Sequence, residues 1–100
     1  YAEHAFNLGK VTFYLEERCV CINSQTIPLT SREYDILELL SRRTSKVLTR
    51  EEIFAEVYDE YAETLFRSIS EYIYQIRQKF APYDIDPIKT IRGLGYKWND

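Results

Sequence analysis

At Thr30 the hydrophobic period of this chain changes from two to about 3.6, and that switch restricts what the sequence can become. Before it, apolar residues alternate: Phe6 and Leu8, Val11, Phe13 and Leu15, Val20 and Ile22, Ile27 and Leu29. Such alternation describes four short strands, each burying one face. Gly9-Lys10, Glu16-Glu17 and Asn23-Ser24-Gln25 separate them, and Asn23 tolerates the left-handed backbone of a tight turn. After the switch, Thr30-Ser31-Arg32-Glu33 has the form of a capping box, predicting a helix to about Arg43 that buries Tyr34, Ile36, Leu37 and Leu40. Thr49-Arg50-Glu51-Glu52 repeats the device and starts a shorter helix reaching about Tyr58.

A third helix is expected from about Leu65 to Phe80, with Pro82 just beyond its end. Leu65, Phe66, Ile69, Tyr72, Ile73, Ile76 and Phe80 share one apolar sector. Opposite them lie Arg67, Ser68, Glu71, Tyr74, Gln75 and Gln78, a polar face with one acid. Between the second and third helices, Asp59 to Thr64 reads as an acidic loop carrying Asp59, Glu60, Tyr61 and Glu63. The last segment, Ile88 to Trp98, reads as a hairpin turning at Gly93-Leu94-Gly95, with Lys89, Arg92 and Lys97 and no acid.

One hundred residues suffice for a single core, so one domain is expected over residues 6–100. Residues 1–5 have no period and read as the end of a connector; a chain that opens on Tyr1 and holds no methionine is read as a piece of a longer protein. No apolar run approaches the ~18 residues of a membrane helix. Cys19 and Cys21 lack the additional ligands of a zinc site and are expected as reduced thiols in a cytoplasmic protein. His4 is the only histidine and lies in the connector, so no nucleophile–histidine pair can be assembled. No enzyme, cofactor or metal is expected.

The net charge of −3 excludes binding nucleic acid by overall charge, so the distribution matters. Residues 1–60 hold 7 Lys/Arg against 11 Asp/Glu, and residues 61–100 hold 6 against 5. Two capped helices, a third with a polar outer face and a basic hairpin describe a helix-turn-helix with a wing. A major groove about 12 Å wide accepts one such helix. An arginine on the hairpin can enter the narrower, more negative minor groove. The expected fold is therefore α+β: an N-terminal four-stranded antiparallel sheet, three helices and a C-terminal hairpin wing.

Thr30 to Tyr34, Leu48-Thr49-Arg50-Glu51, Ile73 to Phe80 with Arg77, and above all Thr90-Ile91-Arg92-Gly93-Leu94-Gly95-Tyr96 resemble the winged-helix effector domain of OmpR/PhoB-type bacterial response regulators. The resemblance spans residues 6–98 and implies sequence-specific binding of double-stranded DNA for transcription regulation in a two-component system. It implies Arg92 in the minor groove, Thr90 on the backbone, Arg67 and Arg77 on phosphates, and Ser68, Glu71, Tyr74, Gln75 and Gln78 at bases or adjacent backbone. It also implies an upstream receiver domain phosphorylated on an aspartate and cooperative dimers on tandem half-sites. The loop bearing Asp59, Glu60, Tyr61 and Glu63 is then a surface for RNA polymerase. Many relatives carry Arg-Arg where this chain has Tyr74-Gln75, a small residue at Glu71, and Trp-Gly at Tyr58-Asp59. Phosphate attraction should therefore be weaker and base preference different. The competing reading is a winged-helix protein-interaction module with little DNA binding.

Overall fold

The computed structural model describes residues 5–57 and 67–99, and for Arg67 the backbone alone. The elements follow in the order β1 (Ala5–Leu8), β2 (Val11–Tyr14), β3 (Cys19–Ile22), β4 (Gln25–Ile27), α1 (Ser31–Arg42), α2 (Arg50–Val57), α3 (Arg67–Phe80), a 3-10 turn (Ala81–Tyr83), β5 (Ile88–Ile91) and β6 (Gly95–Trp98). The first four strands form one antiparallel sheet in sequence order, and β5 and β6 form the hairpin. This is the expected architecture, with small differences at its edges. β1 begins at Ala5 rather than Phe6, because Ala5 is registered opposite Tyr14. Leu15 falls outside β2 and is exposed. The expected helical turn at residues 65–66 lies outside the described residues.

Local chemistry accounts for the sheet and the first two helices. Asn23 and Ser24 both have positive φ, 53° and 67°, and join Ile22 to its partner Gln25 across a two-residue loop. That conformation matches the twist of the flanking strands. At the start of α1, Glu33 N–H donates to Thr30 Oγ1 at 3.3 Å and Thr30 N–H donates to Glu33 Oε1 at 3.0 Å. At the start of α2, Glu52 N–H donates to Thr49 Oγ1 at 3.0 Å and Thr49 N–H to Glu52 Oε1 at 2.9 Å. Both expected capping boxes are complete, each satisfying two backbone donors that the helix leaves open.

One face of the sheet supplies Val11, Phe13, Val20, Ile22 and Ile27 to a core closed by Ile36, Leu37 and Leu40 of α1, Ile53 of α2 and Ile69, Ile73, Ile76 and Phe80 of α3. Phe13 sits where the layers meet. Its ring stacks on Phe6 at 4.8 Å and lies 6.4 Å from Tyr34 of α1 and 5.8 Å from Trp98 of β6, centroid to centroid. The hairpin is thus anchored in the same core as the sheet through Trp98 and Ile88. Cys19 and Cys21 are free and half-buried on the other face of β3.

Buried charge is paired. Glu33 is 4% exposed at its side chain, and Lys79 Nζ lies 2.5 Å from its Oε1. One carboxylate therefore both caps α1 and binds α3. Arg18, itself at positive φ, reaches Asp35 at 2.6 Å and places its guanidinium 4.8 Å from the Tyr34 ring centroid. Burial, then the nearby Glu38 carboxylate, pushes the Tyr34 hydroxyl above its ordinary pKa.

Candidate nucleic-acid interface

α3 presents its apolar stripe inward, so its remaining residues form an outer face. Tyr74 is 55% exposed there; Glu71 and Gln78 are exposed, and Ser68 and Gln75 half-buried. Gln75 Nε2 donates to Glu71 Oε2 at 3.0 Å, one helical turn away. That bond leaves Gln75 Oε1 and the second amide hydrogen available, the donor–acceptor pair that an adenine edge takes. The Glu71 carboxylate accepts that bond at Oε2 and keeps Oε1 for a donor such as a cytosine amine.

The two cations in the second half of α3 turn away from that face. Lys79 pairs with Glu33 of α1. Arg77, expected at a phosphate, directs Nη2 to Ile88 O at 2.8 Å and Thr90 Oγ1 at 2.7 Å. Its Nε lies 3.4 Å from Asp86 Oδ1, an ion-pair contact without hydrogen-bond geometry. Arg77 thus reaches the wing. Because Thr90 Oγ1 accepts from Arg77, the threonine's own hydrogen remains to donate outward.

The hairpin turns at Ile91–Leu94, where Leu94 N–H donates to Ile91 O at 2.9 Å and Gly93 has φ +77°. Positive φ at the third position is the requirement of a type II turn. Gly95, expected to serve the turn in the same way, has a different task. A Cβ built there would lie 2.1 Å from Leu48 O and 2.8 Å from Leu48 C. The close approach lets Tyr96 N–H donate to Leu48 O at 2.9 Å and Leu48 N–H to Tyr96 O at 2.8 Å. The segment before α2 becomes a third rung beside the wing.

Arg92 and Leu94 stand exposed at the turn, Leu94 at 63%. Lys89 and Lys97 are directly opposite in the hairpin register. Like charges so placed repel. Among the described residues neither lysine nor Arg92 has an ion-pair partner. The wing therefore carries three uncompensated cations next to an outer helix face built of amides, a phenol, a hydroxyl and one carboxylate, an arrangement suited to a polyanion that also offers hydrogen-bonding edges.

Of the nine residues expected at DNA, Ser68, Glu71, Tyr74, Gln75 and Gln78 lie together on α3, and Thr90 and Arg92 on the wing beside it. Arg67 opens α3, but its side chain is outside the described part. Asp59, Glu60, Tyr61 and Glu63 also lie outside the described residues. The Lys89–Lys97 pair was legible in the sequence as part of a basic hairpin, but only the strand register makes the two face each other.

A model of the family described as transcriptional regulatory protein, C terminal, matches residues 24–98. The chain is 72% identical to the nisin biosynthesis regulatory protein NisR of Lactococcus lactis subsp. lactis, over 99% of this chain and 45% of that protein. It is 38% identical to the transcriptional regulatory protein SpaR of Bacillus subtilis, over 86% of this chain and 39% of that one. The chain thus spans less than half the length of these curated relatives. Among solved structures, the DNA-binding domain of the response regulator AdeR, crystallised with an intercistronic region, superimposes with a TM-score of 0.85 over 95% of this chain and 99% of that one. At 22% identity that likeness shows the fold. The response regulator DrrB of Thermotoga maritima, an OmpR/PhoB homologue, matches with a TM-score of 0.83 and 25% identity, over 97% of this chain and 45% of that one.

Proposed function

Because this chain belongs to the family of transcriptional regulatory protein C-terminal domains, the OmpR/PhoB-type winged-helix effector domains, we propose that it binds duplex DNA sequence-specifically, with α3 in the major groove and the wing at the adjoining minor groove. The observation that carries this reading is the meeting of two unlike surfaces. The outer face of α3 is rich in hydrogen-bonding groups and holds one acid, Glu71, while the wing beside it holds Lys89, Arg92 and Lys97 without an ion-pair partner among the described residues.

The division of labour follows from the charges. With Arg77 and Lys79 directed inward, the wing supplies the phosphate attraction, and Gln75, Gln78 and Glu71 supply the reading of bases. Three cations releasing counterions at about 0.9 each give a slope of log K against log salt of roughly −3. Arg92 enters the minor groove, with Thr90 donating to a flanking phosphate. The whole protein is read as a cytoplasmic response regulator: an upstream receiver controls this domain, dimers occupy tandem half-sites, and the segment at residues 59–64 meets RNA polymerase. The 72% identity with a nisin biosynthesis regulatory protein supports a target among biosynthesis genes of that type.

Titration of the domain with duplexes selected from a random pool, repeated across a salt series, tests the proposal. The expected result is a shared sequence among the selected duplexes and a slope near the value above. Equal, salt-insensitive affinity for all duplexes would favour the protein-interaction module instead.

A further inference from the structure

Among the described residues, side-chain hydrogen bonds tie both strands of the wing to α3. On β6, the Tyr96 hydroxyl lies 3.3 Å from Ser70 Oγ. On β5 the tie is Arg77, and it is the more extensive. One Nη2 holds Ile88 O at 2.8 Å and Thr90 Oγ1 at 2.7 Å, while Nε faces Asp86 Oδ1 at 3.4 Å. The same Asp86 oxygen accepts from Ile88 N–H at 3.4 Å, and Asp86 O accepts from Asn99 Nδ2 at 2.9 Å. The guanidinium therefore joins the second half of α3 to the start of β5 and, through Asp86, to the residue following β6. Its side chain is only 33% exposed, and Nε is buried.

We propose that Arg77 is a positioning residue: it fixes the wing against the recognition helix and thereby sets where Arg92 enters the minor groove. This rests on the DNA-binding reading given above. The geometry supplies the lever. Thr90, held by Arg77, lies on β5 two residues before Arg92, which opens the turn just past the strand's end. A four-residue strand is an arm of about 13 Å. A pivot of about 10° at its base moves the tip roughly 2 Å, a large part of a minor groove about 6 Å wide. A guanidinium presents its donors in a rigid plane and can hold two acceptors and a carboxylate together, which a neutral amide or a single point charge cannot do. Arg77 also orients the Thr90 hydroxyl, since occupying its lone pair directs the hydroxyl hydrogen outward.

The test measures the helix-to-wing distance directly and then its consequence. Spin labels are placed at Ala81→Cys and Leu94→Cys in a background in which Cys19 and Cys21 are serine. Pulsed dipolar spectroscopy then compares the parent with Arg77→Gln and Thr90→Val; the second variant removes one hydroxyl and keeps the question open should the first fail to fold. The expected result is a narrow distance distribution in the parent and a broader one in both variants. Without labels, Arg77→Gln should lose about fivefold of the preference for A·T over G·C pairs flanking the helix-contacted bases, the low end for one base-reading contact. Adding Arg77→Gln to Arg92→Ala should change that preference no further. An unchanged distribution in Arg77→Gln would overturn the strut; if the salt slope also flattened by about 0.9, Arg77 would be a phosphate contact instead. A broadened distribution with the flanking preference intact would overturn the link to Arg92. If the parent binds no duplex, the DNA-binding reading falls, and the distance measurement still decides whether Arg77 fixes the wing.

Discussion

Replacing Gly95 by alanine should unfold this domain far more readily than replacing Gly93, although Gly93 is the glycine with the unusual backbone. Gly93 has φ +77° and open space around it. An alanine there meets only the strain of the left-handed conformation, about 1–2 kcal/mol. Gly95 has no such φ, but its new Cβ would lie 2.1 Å from Leu48 O, 2.8 Å from Leu48 C and 2.9 Å from Thr49 Cα. These are backbone atoms of Leu48 and of the α2 cap Thr49, with no flexible side chain to yield. The wing must separate from Leu48, losing two backbone hydrogen bonds of 2.8 and 2.9 Å. At about 1 kcal/mol each, plus roughly 1–3 kcal/mol for overpacking a closed contact, the loss is about 3–5 kcal/mol. For a domain near 100 residues each kcal/mol lowers Tm by about 4–8 °C. Thermal unfolding followed by circular dichroism should therefore place Gly95→Ala at least about 10 °C below wild type and well below Gly93→Ala. Equal midpoints, or the reverse order, would refute the close-approach argument.

Two further outcomes are expected. Gln75→Ala should cost about 1–3 kcal/mol at a single base position and leave nonspecific affinity unchanged, as competition with substituted duplexes would show; equal weakening on every sequence would mean that Gln75 only positions the helix. Glu33→Ala removes both the N-terminal cap of α1 and the partner of Lys79, and should cost about 2–3 kcal/mol in urea unfolding, whereas Glu33→Gln keeps a side-chain acceptor for the cap and should cost less.

The sheet and the first two helices were legible because their signals are local. Alternation at Val11, Phe13, Val20 and Ile22 reports a strand buried on one face, and Thr30 with Glu33 or Thr49 with Glu52 reports a cap within four residues. The outer face of α3 was legible by subtraction, since residues outside the apolar stripe must face away from the core. What the sequence hid are contacts between elements that periodicity does not encode. Arg77 falls between the two faces of its helix, and only the packing of β5 against α3 decides that it turns to the wing. Gly95 reads as a turn residue because a second glycine stands two positions away; its reason is the backbone of Leu48, 47 residues earlier, which bridges to Tyr96. The Glu33–Lys79 pair likewise joins the cap of α1 to the end of α3.

Backbone amide shifts, followed while a selected duplex is added to the isotopically labelled domain, show which surface meets DNA. If α3 reads the major groove and the wing the minor groove, the largest changes fall on residues 68–78 and 89–97, with Arg92 and Gly93 among them. The outer face of the sheet, at Thr12, Tyr14, Cys19 and Cys21, stays where it was. Changes centred on that sheet face, with α3 and the wing unmoved, would mean that DNA is not met by α3 and the wing.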